Sequence, residues 1–400
     1  MTVSGRPNLL TPELKANPYP LYAELRRDSP VCQVDPGGFW AVTRYDDAMF
    51  VFKNPQLFSS EGFRLATNPP WLVGGNPFSE SMLTMDPPKH GRLRSIVSRA
   101  FLGPALAKME SRIRTFAHEV VEALPLERPI DIIPNFALRV PAHIIGELLG
   151  LDPSLHLKLK YWADQLTSVT AIRPDDTARQ EELRQAIADL KRYFGEVVEA
   201  RRHNPNDDLV SDLIRARVDG EALTNDELMA FLFLLLVGGL ETTVHLLGFS
   251  VKILMERPEL VERLRADHSL ISRFVEEVGR YETPAHGVMR VTTDEVELGG
   301  VRLAKGSRLV VIMGSVGRDE KYFPDGERFD IDRPVPQNIP FGHGAHFCLG
   351  AQLAKLEVRL ALDTLLTRCA RISPVPEPVL WHRSMVVRGP SSVQVVLHGA

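Results

Sequence analysis

The sequence predicts a mainly α-helical fold with small β-sheets. Helical periodicity dominates the middle and the C-terminal part of the chain, whereas strand-like alternation is short and clustered. No repeat, linker or low-complexity tract divides the sequence, so we expect a single domain over residues 1–400. The periodicity predicts helices over residues 90–101, 105–124, 178–202, 225–255, 257–267 and 351–368.

Strand signals lie in three short stretches. Residues 37–45 and 289–314 are rich in β-branched and aromatic residues. The second stretch predicts successive strands with turns at Gly299–Gly300 and Lys305–Gly306. Residues 385–399 alternate in the same way around a Gly-Pro pair, which predicts a C-terminal hairpin.

Composition describes an ordinary globular protein and excludes several classes. Apolar residues make up 44% and charged residues 24% of the chain, and the net charge is −4. That balance gives no basis for binding nucleic acid or an acidic membrane surface. Three widely spaced cysteines do not make a disulfide framework, and the N-terminus shows no signal-peptide pattern. The longest apolar run, 229–240, is too short to cross a bilayer, so we expect a soluble, cytoplasmic protein.

Cys348 stands in a loop crowded with glycine, phenylalanine and histidine, just before the predicted helix 351–368. Free N–H groups and the dipole at a helix start favour an anion, which predicts a lowered thiol pKa and a thiolate ligand. Gly342, Gly344 and Gly350 allow tight bends and close approach to a flat partner. A thiolate beside a large planar cofactor suits haem iron.

Two other interpretations of this loop remain open at this point. Cys348 is a small buried hydrophobe in the first, as most lone cysteines are. In the second, His343, His346 and Cys348 bind zinc, although the motif supplies no convincing fourth ligand.

The stretch FGHGAHFCLG (341–350) resembles the F-G-x-G-x-H-x-C-x-G signature of the cytochrome P-450 family at every defined position. The similarity runs from about residue 17 to the C-terminal segment. It implies the single-domain P-450 fold, with haem b (iron protoporphyrin IX) between helices 225–255 and 351–368. It also implies that Cys348 is the axial thiolate ligand of the haem iron.

The helix 225–255 carries polar residues and two adjacent glycines inside an apolar sequence. Each glycine costs about 1 kcal/mol relative to alanine, and a buried acid is costly unless it is paired. Thr242 follows Gly238 by four residues, so its hydroxyl can bond that carbonyl and open the helix. A kinked core helix with a salt-bridged Glu241 is one interpretation. The other rests on GGLETT, which resembles the family's acid–alcohol motif and implies that Glu241 and Thr242 relay protons during dioxygen reduction.

Further motifs support the resemblance. Glu277 and Arg280 match the family's E-x-x-R, which implies a buried structural trio with Arg328 as its third member. Two more residues, Gly238 and Phe341, are expected to contact the flat cofactor. By family position, the bases that contact the haem propionates are His90, Arg94, Arg290 and His346.

The resemblance also implies a mostly apolar substrate pocket. We expect His286 to hydrogen-bond a substrate carbonyl or hydroxyl, and Arg64 is the candidate partner for a fatty-acid carboxylate. The long loop 59–88 is apolar enough to be functional rather than disordered. The expected pocket residues are Trp71, Leu72, Met82, Leu166, Val169, Leu234, Val237, Ala285, His286, Val288, Met385 and Val386.

The implied reaction is monooxygenation of a hydrophobic terpenoid, steroid, fatty acid or macrolide by O2. Electrons would come from NAD(P)H through a separate ferredoxin or flavodoxin and its reductase. A patch of Arg92, Arg99, Lys355 and Arg359 would steer that acidic donor. The alternatives are a peroxide-dependent or non-oxygenating enzyme of the same fold, or a non-catalytic haem-binding protein.

Overall fold

Helices form most of the ordered backbone in the computed structural model, which describes residues 5–98, 101, 103–217, 220–334 and 339–400. The helices of this part of the chain are α1 Pro12–Ala16, α2 Tyr19–Asp28, α3 Tyr45–Lys53, α4 Glu61–Thr67, α5 Lys89–Ser98, α6 Gly103–Glu122, α7 Arg139–Leu149, α8 His156–Ser168, α9 Thr177–His203, α10 Leu209–Arg215, α11 Asn225–Leu236, α12 Thr242–Glu256, α13 Pro258–Ala266, α14 Ile271–Tyr281, α15 Met313–Val316 and α16 Ala351–Arg368. The strands are β1 Val31–Val34, β2 Phe39–Val42, β3 Phe58–Ser59, β4 Pro129–Asp131, β5 Gly287–Thr292, β6 Val296–Leu298, β7 Val301–Leu303, β8 Arg308–Ile312, β9 Cys369–Pro374, β10 Leu380–Trp381, β11 Pro390–Ser392 and β12 Gln394–Gly399.

The mainly helical fold predicted from periodicity is confirmed. The predicted helices correspond to α5, α6, α9, α11 with α12, α13 and α16, with boundaries that agree within two residues wherever the chain is described. α11 begins with a capping box, in which Thr224 accepts from the N–H of Glu227 and the Glu227 carboxylate accepts from the N–H of Thr224. These reciprocal bonds satisfy two N–H groups that a helix start otherwise leaves unpaired.

The largest sheet has the strand order β1-β2-β8-β5-β3. β2 and β8 are parallel although far apart in sequence, and the other pairs are antiparallel. The predicted turns lie where expected, because Gly299, Gly300 and Gly306 have φ angles of 57°, 79° and 82°. Only glycine adopts such angles without strain, and these turns separate β6, β7 and β8.

The predicted C-terminal hairpin is wrong. β11 pairs with β10, whereas β12 pairs with β9 and β4 in a separate three-stranded sheet. A single residue, Val393, separates β11 from β12, which leaves no room for the two-residue turn that a hairpin needs. The stretch forms strands from Pro390 onward, but β11 pairs with β10 shortly before it, and β12 pairs with β9 and with the distant β4.

The stretch Asn225–Glu256 crosses the centre of the protein as α11, a π-helical segment and α12. It is the stretch of described residues that is long and apolar enough to cross a membrane, and 78% of its most apolar window is buried inside the protein. It contacts α8, α14 and α16. This stretch is therefore the core helix around which the others pack.

A buried ion pair fixes the segment that precedes the Cys348 loop. The guanidinium of Arg280 forms two bonds with Glu277, at 2.6 and 2.7 Å. It also donates to the carbonyls of Gly317, Gly326 and Arg328 at 2.8–3.0 Å. The predicted third arginine needs correction: Arg328 contributes its carbonyl and its side chain is exposed, whereas Nε of Arg333 lies 3.6 Å from Oε1 of Glu277.

Candidate active site

A cavity of about 320 Å³ separates the central helix from the loop that carries Cys348. Gly238, Gly239 and Thr242 line it from the central helix, and residues 340–343 and 346–350 line it from the loop. Most of the remaining lining is apolar, and α4, α7, α8, α11 and β5 are among the elements that contribute to it. The sequence therefore brings its two unusual motifs, more than a hundred residues apart, to one cavity.

The Cys348 loop owes its shape to backbone geometry. Gly342 and Gly344 have φ angles of 78° and 71°, which favour glycine. A Cβ atom on Gly344 would lie 3.2 Å from the carbonyl oxygen of Phe52. The N–H of Cys348 donates to the carbonyl of Phe341 at 2.9 Å, which closes the loop. Phe341 and Cys348 both line the cavity, three residues or more before α16 begins.

The Cys348 thiol does not have the lowered pKa that the sequence predicts. Burial raises its pKa, and this outweighs the opposing effects of the Gly350 N–H and the charges of Arg94 and Lys355. Desolvation disfavours the charged form of any buried thiol. Cys348 therefore becomes a thiolate when a metal ion binds it, since coordination deprotonates a thiol outright.

The four predicted propionate contacts all line the cavity. Arg290 is only 6% exposed, yet its guanidinium donates to a single described acceptor, the carbonyl of Met289 at 2.7 Å. Burial lowers the pKa of Arg290 to about 10. Nε2 of buried His90 has no partner among the described residues, and its ring lies 4.2 Å from that of His346. Buried cations and donors of this kind are costly unless an anionic group joins them.

The other two bases of this group have protein partners. Arg94 donates to the carbonyl of Phe347 at 2.6 Å, and Nε2 of His346 lies 3.0 Å from the hydroxyl of Ser60. Burial and the charge of Arg290 lower the pKa of His346 to about 3, so its ring is neutral at physiological pH. Asp86 is the nearby carboxylate, and it is bound by Ser59 and the N–H of Ser60.

The central helix is distorted where it lines the cavity. Val237–Glu241 forms a π-helical segment, and the hydroxyl of Thr242 donates to the carbonyl of Gly238 at 2.9 Å. The bond predicted from the four-residue spacing is therefore present. Gly238 faces open space, because a Cβ atom built on it meets nothing within 4 Å. π-helical segments of this kind occur often at functional sites.

Glu241 points away from the cavity although Thr242 lines it. Its side chain is fully buried, with Oε1 3.2 Å from the ammonium of Lys160 and Oε2 3.4 Å from Nε2 of His245. Lys160 also pairs with Asp164, whose side chain is 36% exposed. The carboxylate thus lies between the cavity wall and a polar cluster that reaches the solvent.

The expected substrate pocket is assembled only in part. The predicted residues that line the cavity are Met82, Leu166, Leu234, Val237, Ala285, Val288 and Val386. The predicted residues outside its lining are Trp71, Leu72, Val169, His286 and Met385. The main correction is His286, whose Nε2 lies 2.9 Å from the hydroxyl of Tyr22. The ring of His286 packs closely on Gly314, because a Cβ atom built on Gly314 would lie 2.4 Å from Cε1 of that ring. The ring therefore offers no free surface to a substrate.

Sequence reasoning missed several residues that line the same cavity. Ile144, Ile145 and Leu148 come from α7, and Phe231 lies on α11 one turn before the predicted pocket residue Leu234. Their helical spacing predicts burial, but the same spacing describes a residue packed in the core. Thr167 and Val387 were adjacent to predicted residues and carried no separate signal.

The expected basic patch is largely neutralised. Arg92 pairs with Glu227, Lys355 lies 2.5 Å from Glu276, and Arg359 lies 3.5 Å from Glu110. Arg99 lies outside the described residues. Each described base of the patch is therefore matched by a carboxylate, which weakens the field that would steer an acidic donor.

Comparisons with known proteins find one family of similar sequences and structures. The cytochrome P-450 family model matches residues 155–397. Cytochrome P-450 109 of Bacillus spizizenii is 39% identical over 359 residues, which cover 89% of this chain and 85% of the relative. Vitamin D(3) 25-hydroxylase of Pseudonocardia autotrophica is 33% identical over 387 residues, covering 95% and 94%. A myxobacterial cytochrome P-450 solved with myristic acid has a TM-score of 0.90 at 33% identity, covering 98% of this chain and 99% of that one.

Two glycines of the Cys348 loop should respond differently to alanine. Gly344→Ala forces a left-handed φ on a residue with a Cβ and presses it against Phe52, so we expect a loss of about 1–2 kcal/mol in the free energy of unfolding. Gly350 has φ −90° and open space at its Cβ, so Gly350→Ala should be nearly neutral. Urea unfolding followed by circular dichroism measures both variants. Equal stability of the two variants would contradict this account of the loop.

Proposed function

The chain belongs to the cytochrome P-450 family and is a monooxygenase, and from this premise we propose that Cys348 is the axial ligand of its haem iron. The observation that carries the proposal is that one cavity is lined by Cys348, by the central helix at Gly238 and by the four bases His90, Arg94, Arg290 and His346.

The residues present fit a bound haem. The unpaired guanidinium of Arg290 and the free Nε2 of His90 would bind the propionates, together with Arg94 and His346. Gly238 presents no side chain, and Phe341 supplies an apolar contact in the same cavity. When bound, haem iron supplies the activation of O2 and the transfer of one oxygen atom to the substrate.

We propose that Thr242 and Glu241 supply protons to this reaction. Oγ1 of Thr242 lines the cavity, and its bond to Gly238 fixes the rotamer while leaving the oxygen lone pairs free to accept a proton. Glu241 is the adjacent carboxylate and is connected through Lys160 to partly exposed Asp164. Glu241 would pass protons arriving from that side to the hydroxyl of Thr242, which acts as the final donor in the cavity.

The substrate we propose is a neutral hydrophobic molecule of the steroid, terpenoid or macrolide class. The cavity wall away from the propionate bases is apolar, with the hydroxyls of Thr67 and Thr167 already bonded to carbonyl oxygens. Arg64, the candidate partner of a fatty-acid carboxylate, does not line the cavity and pairs with Glu61 and Glu80. A buried carboxylate would lack a counter-ion on that wall. The hydroxylation of vitamin D(3) by a relative is consistent with a neutral polycyclic substrate.

Electrons would come from NAD(P)H through a separate ferredoxin or flavodoxin and its reductase. We propose that this donor docks near the Cys348 loop, where Phe347 is 45% exposed. Because the surrounding bases are paired, an apolar contact at Phe347 would contribute as much to docking as charge. We place the reaction in the cytoplasm, where such donors and NAD(P)H occur.

Replacing Cys348 tests the proposed ligand. The dithionite-reduced wild-type protein with carbon monoxide should show a strongly red-shifted Soret band, because a thiolate donates more electron density than other axial ligands. Cys348→Ser should lose the shift, and Cys32→Ser should keep it because Cys32 does not line the cavity. A shifted band in Cys348→Ser, or its absence in the wild type, would remove Cys348 from the role.

Replacing Thr242 tests the proton supply. Thr242→Val keeps the shape of the side chain but removes its hydroxyl. The amount of product formed per NAD(P)H consumed should therefore fall by about tenfold or more, because general acid catalysis typically contributes about 100-fold or more to a rate. Thr242→Ser restores a hydroxyl and should recover most of the coupling. The measurement is the ratio of product to NAD(P)H consumed, with peroxide release as the complement. Equal coupling in the valine and serine variants would exclude the hydroxyl from proton delivery.

Binding of paired ligands tests the substrate class. Addition of vitamin D3 to the ferric protein should shift the Soret band, and myristic acid should bind at least about tenfold more weakly, because its carboxylate would be buried without a partner. Methyl myristate is the matched control, since it keeps the chain and removes the charge, and it should bind more tightly than the acid. Tighter binding of myristic acid than of methyl myristate would overturn the proposal that the substrate is neutral.

A further inference from the structure

A polar cluster lies behind the cavity wall, where the π-helical segment, α12 and the residue after β10 meet. It contains Glu241, His245 and His382, all buried. One ligand atom from each lies within 4.8 Å of the other two. Two imidazoles and a carboxylate form a ligand set that zinc uses in proteins, with a fourth position left for water.

The cluster contains polar atoms that the fold does not satisfy. His245 is fully buried, and neither ring nitrogen makes a hydrogen bond of full geometry among the described residues, although the backbone of Pro390 is close enough to raise the pKa of the ring. Oε1 of Glu241 is likewise without a hydrogen bond there. Nε2 of His245 lies 3.4 Å from Oε2 of Glu241. Two ligand atoms around tetrahedral zinc lie about 3.3 Å apart, given metal–ligand bonds of about 2.0–2.1 Å.

The second histidine is held by neighbours on α8. Oδ1 of Asp164 lies 3.4 Å from Nδ1 of His382, the position of a carboxylate that orients a ligating histidine. Nε2 of His382 lies 3.0 Å from the hydroxyl of Thr167, whose single proton goes either to this nitrogen or to the carbonyl of Ala163.

Lys160 supplies the cationic charge at this place in the fold. Its ammonium lies 3.2 Å from Oε1 of Glu241 and also pairs with Asp164. With both histidines neutral, the two carboxylates and one ammonium leave a formal charge of −1. A divalent cation is therefore attracted to the cluster, but it competes with the ammonium for the same carboxylate. Lys160 can release Glu241 and keep its bond to Asp164, which lies on its own helix.

We propose that Glu241, His245 and His382 form a zinc-binding site, in which the metal replaces the ammonium of Lys160 beside Glu241. Zinc at this place holds the carboxylate that we proposed as the proton source, so it lowers coupling in the working enzyme. That consequence rests on the proposed function. Binding itself does not, because it requires only the folded resting protein.

The test is calorimetric titration of the haem-loaded resting enzyme with Zn2+, in metal-free buffer. The wild type should bind one Zn2+, and His382→Asn should weaken binding at least tenfold, since loss of even an outer-sphere partner costs about 10–100-fold. Lys160→Met should strengthen binding by about fivefold or more, because it removes the competing charge and keeps the aliphatic stem. Mg2+ should not compete, since it prefers oxygen ligands.

His398→Asn is the matched control, because Nδ1 of His398 lies 2.7 Å from Glu127 in another histidine–carboxylate pair near the C-terminus. It should leave Zn2+ binding unchanged. Haem content and the Soret band of each variant verify that it is folded. The proposal is overturned if the wild type binds no Zn2+, if His398→Asn weakens binding as much as His382→Asn, or if Lys160→Met fails to strengthen it. None of these results would alter the monooxygenase assignment, which is measured by turnover.

Discussion

The active site depends on the buried ion pair between Glu277 and Arg280. Arg280 holds three carbonyls of the segment 317–328, and Glu277 accepts from the N–H of Asp330 at 2.8 Å. Gly279, between the two, packs against Pro340 at the start of the Cys348 loop. A buried charge left without its partner costs about 3–5 kcal/mol, so separating the segment 317–328 from α14 is strongly unfavourable. The pair therefore holds the segment before the Cys348 loop in a fixed position relative to α14.

In the central helix, unlike the ion pair, residues that are locally unfavourable for stability form part of the cavity wall. Two glycines, an acid and a threonine interrupt an apolar sequence, and each is unfavourable by local rules. The π-helical segment follows from them, since Thr242 bonds the carbonyl of Gly238 and the ladder opens. The same distortion exposes the backbone at Gly238 to the cavity. Local unfavourable choices that converge on one place are typical of a functional site.

Features carried by local patterns were predictable from the sequence, and features made by distant contacts were not. Periodicity gave the helices, and the spacing of Gly238 and Thr242 gave their hydrogen bond. His286 was misjudged because Tyr22, far away in the chain, occupies its ring nitrogen. The motif points to Arg328, whose carbonyl makes the contact, and it does not reveal the side chain of Arg333, because a motif does not distinguish a carbonyl contact from a side-chain contact. The predicted lowering of the Cys348 thiol pKa is wrong for a similar reason, since the burial that raises this pKa depends on the whole fold.

The separation of Thr242 from Glu241 explains how an apolar cavity coexists with the proton source that we propose. Successive residues of a helix point about 100° apart, so one faces the cavity while its neighbour faces α8. A carboxylate inside the cavity would need a counter-ion there and would attract water to the hydrophobic substrate. Behind the wall, Glu241 is instead held by Lys160 and connected to partly exposed Asp164. The charge of Glu241 stays in that polar cluster, and on the side of the cavity the helix presents the neutral side chain of Thr242.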